Sequence, residues 1–211
     1  MTELADRPAT EPAQGASRLG GIEVNELLTS SAAALLVILL IAEGITILDM
    51  RGLLGPHMFI GLVLIGPVAL KLASTGYRFV RYYGGSPVYV AKGPPHLALR
   101  ALAPVLVAAT TLVFATGVWL LALGHRSHQV LMLHKVGFVV WSGVFAVHFL
   151  AHLPRAARSL RGAWATTPSH RPRTPGRGIT ALLVVTSLCA GLALALVLLP
   201  HIGAWHRGYG F

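Results

Sequence analysis

The sequence predicts an all-α integral membrane protein, a bundle of about five transmembrane helices with the N-terminus cytoplasmic and the C-terminus outside. Three observations predict it. Of 211 residues, 55% are hydrophobic and only 11% charged, with a mean hydropathy of +0.68. Soluble domains carry about 25% charged residues, so this chain has too little polar surface to dress a water-soluble globule. Five apolar runs reach the roughly 20 residues that cross a hydrocarbon core. The charges are also sorted along the chain. All seven acids lie at or before Asp49, and every charged residue after it is basic.

Residues 1–26 are rich in Ala, Pro, Gly and charge, the composition of a disordered cytoplasmic tail. The tail lacks a basic leading region and a small-residue cleavage site, so the first apolar run does not read as a secretory signal. That run, 27–48, is interrupted only by Glu43. The second, 57–75, opens at His57 after Gly55-Pro56 and carries Pro67 and Lys71. It continues as helix into Tyr77, Arg78, Arg81 and Tyr82, an interfacial patch suited to lipid headgroups. Gly84-Gly85, Pro87 and Gly93-Pro94-Pro95 mark a loop. The third span is 98–123, and the fourth is 130–153, ending before Pro154. Arg, Pro, Ser and Thr dominate a linker over 154–177. The fifth span, 178–200, is wholly apolar, and 201–211 forms a short outer tail.

Orientation follows from Lys and Arg on alternate sides. Eleven lie in the N-terminal tail and the second and fourth connections, against three in the other connections and the C-terminal tail. The net charge of +10 therefore reads as membrane orientation rather than a nucleic-acid footprint. Cys189 is the one cysteine, which excludes an internal disulfide and any CxxC motif.

Ionisable groups inside spans are costly and usually functional. With five alternating spans, the second and fourth run in the same direction, so His57 and His134 share a depth near the outer face. His148 follows His134 by fourteen residues, which returns it to within about 40° of the same helix face and about 21 Å along the axis. A haem standing between two helices needs one axial ligand from each. His57 and His134 supply that pair for an outer haem b. At the inner level His148 faces Lys71, which stands where a second histidine would complete another site. Gly61 and Gly137, each within one turn of a ligand histidine, leave room either for a flat macrocycle or for close helix packing. Arg51, Arg126 and Lys135 stand near enough to the outer site to receive propionates.

Plainer roles stand beside these. His57 and His134 serve as interfacial anchors, Lys71 snorkels to the surface, and His148 with His152 forms an HxxxH pair able to take a transition metal. Glu43, at the depth of the outer pair, either carries protons or pairs with a cation such as Arg51 or Lys135. The other histidines, His96, His125, His128, His170, His201 and His206, read as solvated.

His57, His134 and His148, with their fourteen-residue repetition, resemble the membrane cytochromes b. These include the b-type subunits that anchor bacterial hydrogenases and formate dehydrogenases, and the ferric-reductase-like bundles. The resemblance covers roughly residues 50–155, and Lys71 departs from its two-haem pattern. It implies b-type haem, bis-histidine ligation and transmembrane electron transfer. On that footing the chain is expected in the cytoplasmic membrane of a bacterium, in contact with lipid and with a redox partner subunit. It would pass electrons between an outer-face partner and a quinone or inner acceptor. It has no flavin or nucleotide motif and no sizeable extramembrane domain, so any catalysis is shared with another subunit. The rival expectations are a cofactor-free assembly or interaction subunit and a small histidine-based metal-handling protein.

Overall fold

A computed structural model describes residues 11–91, 93, 97–165 and 176–208, and the side chains of 21–91, 93, 99–154 and 176–205. Seven helices occupy the described residues, with no strand among them: α1 Glu11–Leu48, α2 Leu54–Tyr83, α3 Pro87–Ala91, α4 Leu97–Leu123, α5 His128–Ala165, α6 Arg177–Val197 and α7 Leu199–Gly208. Five segments are long and apolar enough to cross a membrane: Gly21–Leu48, Leu54–Tyr83, Leu99–Leu123, His128–Pro154 and Arg177–Val197. Their outer surfaces are apolar and exposed, as at Leu48, Val139, Leu182 and Val197, because lipid replaces water as their solvent.

Helix extends further than composition suggests. α1 begins at Glu11, so helix occupies most of the stretch 1–26 expected to be a disordered tail, while residues 1–10 lie outside the described residues. Once a span has nucleated a helix, adding turns at its end costs little. The Gly84–Pro95 loop contains α3, whose Pro87 sits where a missing N–H is harmless. Tyr89 and Val90 donate their amides to the Ser86 carbonyl, each at 3.0 Å. α5 runs through Pro154 to Ala165. The Leu150 carbonyl that Pro154 cannot satisfy lies near the span's end, where water is available to take it. The tail 201–211 is helical to Gly208; Leu198 separates α6 from α7, and Pro200 sits in the first turn of α7.

Connections at the histidine end are tight. Asp49 closes the turn after α1, with its carboxylate accepting the Gly52 amide at 3.1 Å and its carbonyl accepting the Leu53 amide at 2.8 Å. Gly124 ends α4 at φ 67°. This left-handed turn, open chiefly to glycine, lets α5 return directly alongside α4.

The helices sort into two bodies joined through α2. α1, α2 and α6 pack together, α4 and α5 form an antiparallel pair, and α2 touches α4 across the middle. α2 and α6 approach closest. A Cβ on Gly66 would stand 1.9 Å from the Ser187 carbonyl oxygen, and one on Gly191 would stand 2.1 Å from the Val63 carbonyl oxygen. Pro67 explains the second contact. It has no N–H, so the Val63 carbonyl four residues earlier has no helical donor, and the Cα–H groups of Gly191 face it instead. At the histidine end, Leu62 and Val63 of α2, Leu120 and Leu121 of α4, Val130 of α5, and Ile202 and Trp205 of α7 form one buried apolar cluster. α7 thus folds back beneath α2 and α4 instead of trailing away.

Gly66→Val is expected to cost about 3 kcal/mol or more, because its Cβ meets backbone rather than a flexible side chain. Gly61→Ala, whose Cβ would stand 3.4 Å from the Glu43 Oε1, should cost far less. Thermal unfolding of the two purified proteins in one detergent checks the contrast, and equal midpoints would refute the close crossing.

Candidate histidine site between α2 and α5

His57 lies on the first turn of α2 and His134 on the second turn of α5. The two rings face each other with centroids 6.4 Å apart and planes at 86°. Their meeting places the starts of α2 and α5 at one depth, so the two helices run in the same sense. Among the described residues, no Cα of α2 comes within 8 Å of a Cα of α5. The imidazoles therefore reach toward each other across a separation wider than direct helix packing.

Each ring is held from behind by its Nδ1. The Nδ1 of His134 lies 3.1 Å from the Val113 carbonyl oxygen and 3.0 Å from the Thr116 hydroxyl, both on α4. A carbonyl only accepts, so this Nδ1 carries the proton and donates it. The Nδ1 of His57 lies 2.9 Å from the Oε1 of Glu43 and 3.1 Å from the Thr46 hydroxyl, both on α1. The Thr46 hydroxyl spends its one proton on the Glu43 carbonyl at 2.5 Å, so its oxygen can only accept, and here too Nδ1 is the donor. In the neutral form of each ring the Nε2 is then the unprotonated nitrogen, on the side away from the Nδ1 partners. An imidazole oriented through one N–H and bare at the other nitrogen is the form that ligates a metal. This pair has it twice.

The spacing fits an iron between them. Two imidazoles that shared one metal ion through their Nε2 atoms would stand with ring centres about 6 Å apart. The observed 6.4 Å meets that requirement.

Several details differ from expectation. Glu43 pairs with His57, not with Arg51 or Lys135, and Arg51, Arg126 and Lys135 are solvent- or lipid-exposed at this end. Gly61 and Gly137 do not present a bare face to a macrocycle. Gly61 admits the Glu43 carboxylate, and Gly137 admits Leu112 and Val113 of α4. The glycine beside His134 is Gly117 on α4, where a Cβ would lie 3.3 Å from the Cε1 of His134. Thr46, Thr116, Gly117 and the Val113 carbonyl were not legible as site residues. Their one signal is a hydroxyl or a glycine within an apolar span, which occurs at many other positions too.

The inner pair is not assembled in the same way. Lys71 turns toward α1 and donates to the Thr29 carbonyl at 2.9 Å. Around it, Asn25 donates to the Ser74 carbonyl at 3.3 Å, Thr29 donates to the Ser74 hydroxyl at 3.2 Å, and that hydroxyl donates to the Lys71 carbonyl at 3.0 Å. Lys71 thus takes part in this α1–α2 clasp. The His148 ring stacks on His152 at 4.5 Å, and the Nδ1 of His152 donates to the His148 carbonyl at 2.9 Å. Its own Nδ1 is buried without a hydrogen-bond partner. Among the described residues, no three His, Cys, Asp or Glu side chains converge as a metal group, so the HxxxH pair gains no third ligand.

Beyond this clasp, the aromatic patch is knit together. Tyr89 of α3 packs edge-on to Tyr77 at 6.2 Å, with the Arg81 guanidinium 5.9 Å from the Tyr89 ring centre, and Arg100 of α4 donates to the Tyr83 hydroxyl.

Lys71→Met should lower stability by about 1–2 kcal/mol through the lost hydrogen bond and leave the visible absorbance spectrum unaltered. A changed spectrum would return Lys71 to an inner ligand site. No protein-family model, curated protein or solved structure matches this chain.

Proposed function

We propose that this chain is a haem-b electron-transfer subunit, holding one low-spin haem between His57 and His134. The observation that carries this reading is the pair of imidazoles 6.4 Å apart, both protonated on Nδ1 by virtue of their partners and bare at Nε2. Two half-buried imidazoles meeting inside the bundle are costly to place there without a use. When bound, the haem supplies a one-electron carrier. The chain's own residues hold it, orient it and keep water from it. His57 and His134 are the ligands, while Glu43 and Thr46, and Thr116 and the Val113 carbonyl, fix the ligand rings. The apolar surfaces of α2, α4 and α5 make the surroundings dry, which together with the ligands tunes potential. The partners proposed with this reading are a redox subunit at the histidine end and a quinone or second acceptor toward the opposite face. Lys71 and His148 are not included as ligands of a second haem.

In this reading the protein sits in a bacterial cytoplasmic membrane with its N-terminus inside, as the distribution of Lys and Arg favours. A periplasm-dependent reporter fused after Phe211 should be active, and a cytoplasm-dependent one silent. The reverse pattern would invert the orientation and put the histidine end inside.

The ligand assignment is tested by substitution. His57→Ala and His134→Ala should each abolish the same bis-histidine Soret and α bands while the protein still inserts and purifies. A wild-type spectrum in either variant, or no haem in the wild-type protein purified from haem-replete cells, refutes the assignment.

A further inference from the structure

We propose that Glu43 sets the reduction potential of the group held between His57 and His134, by placing a buried carboxylate on the Nδ1–H of one ligand only. This rests on the haem reading above. The two ligands occupy equivalent positions, yet their supports differ in charge. His134 is held by a backbone carbonyl and a hydroxyl, both neutral. His57 is held by the Glu43 carboxylate at 2.9 Å, with that side chain only 14% exposed.

The carboxylate is directed at the ligand. Its Oε2 is buried and accepts no hydrogen bond, while its Oε1 lies 2.9 Å from the His57 Nδ1. The opposite wall accommodates it, since Gly61 leaves a space that a Cβ would enter at 3.4 Å from Oε1. Thr46 reinforces the geometry, because its hydroxyl is committed to the Glu43 carbonyl and only its oxygen is left for the same Nδ1.

The electronic consequence follows from charge. Reduction adds one electron to the iron and removes one unit of positive charge from the centre, with no bond made or broken. A fixed negative charge one ligand away attracts the oxidised form more strongly than the reduced form, and more so in a low-dielectric site. Drawing on the Nδ1 proton also makes the imidazole a stronger donor through Nε2, which again favours the oxidised iron. Both effects lower the potential. Glu43 is thus a positioning and tuning residue that acts through His57.

Redox titration of the haem-loaded, full-length protein tests this. Glu43→Gln keeps an acceptor for the Nδ1–H and removes the charge. It should favour the reduced form about tenfold or more, a rise of about 59 mV or more for one electron, with the bis-histidine spectrum retained. Should that variant lose its haem, Gly61→Ser answers in its place. A serine hydroxyl there can donate to the Glu43 carboxylate, dilute its pull on His57 and raise the potential in the same direction by about threefold in the equilibrium. A haem-loaded variant of either kind with an unmoved potential overturns the tuning role and leaves the haem reading intact. A wild-type protein that binds no haem overturns both.

Discussion

The close crossing of α2 and α6 is the constraint on which the arrangement depends. In hydrocarbon, apolar side chains gain little by leaving lipid for one another, so helices are held by close packing and by polar contacts. Gly66 and Gly191 let each backbone reach a carbonyl of the other, Ser187 and Val63. Pro67 makes the Val63 carbonyl available by lacking the N–H that would otherwise occupy it. With α2 pinned on that side and α1 packed beside it, its histidine is presented toward α4 and α5. α2 meets α4 but stays apart from α5, and that separation is bridged by two imidazoles rather than by packed backbones.

The second organising rule is that polar groups in a membrane must be satisfied from within the protein. Thr110, Thr111 and Thr116 return their hydroxyl protons to carbonyls three or four residues earlier on α4. That leaves their oxygens free to accept, and two of them do so from α5: Thr110 from the Trp141 indole at 3.0 Å and Thr116 from His134. The same logic operates on α1, where Thr46 gives its proton to the Glu43 carbonyl and accepts from His57. Hydroxyls used this way help fix which imidazole nitrogen donates a hydrogen bond.

The two ends of the bundle obey that rule with opposite results. At the histidine end, each Nδ1 is satisfied by a neighbouring helix, and the remaining nitrogens are those of two facing rings. At the other end, Lys71 is satisfied by α1, while His148 turns to its own helix neighbour and keeps one buried nitrogen unpartnered. A fourteen-residue repeat places side chains on one helix face at two depths. What each meets there is decided by the neighbouring helix, which for Lys71 is α1.

Composition and apolar run length were enough to determine an all-helical chain with five membrane-crossing segments. A span's length is set by bilayer thickness and its character by the absence of water, and both are written locally. The shared depth of His57 and His134 was legible as well, since alternating spans make α2 and α5 parallel. Element ends were less legible: Glu11–Gly20, α3, the run past Pro154 and α7 are helical because helix propagates cheaply beside an anchored span or packs onto it, which local composition does not record. Only the tertiary structure decided that Glu43 and Thr46 serve His57, that Thr116 and Val113 serve His134, and that Gly61 and Gly137 make room for neighbouring helices. Those pairings join residues on different helices, and their geometry depends on how far each helix is rotated about its own axis. A purely apolar span leaves that rotation nearly free in sequence, and close contacts such as those of Gly66 and Gly191 settle it.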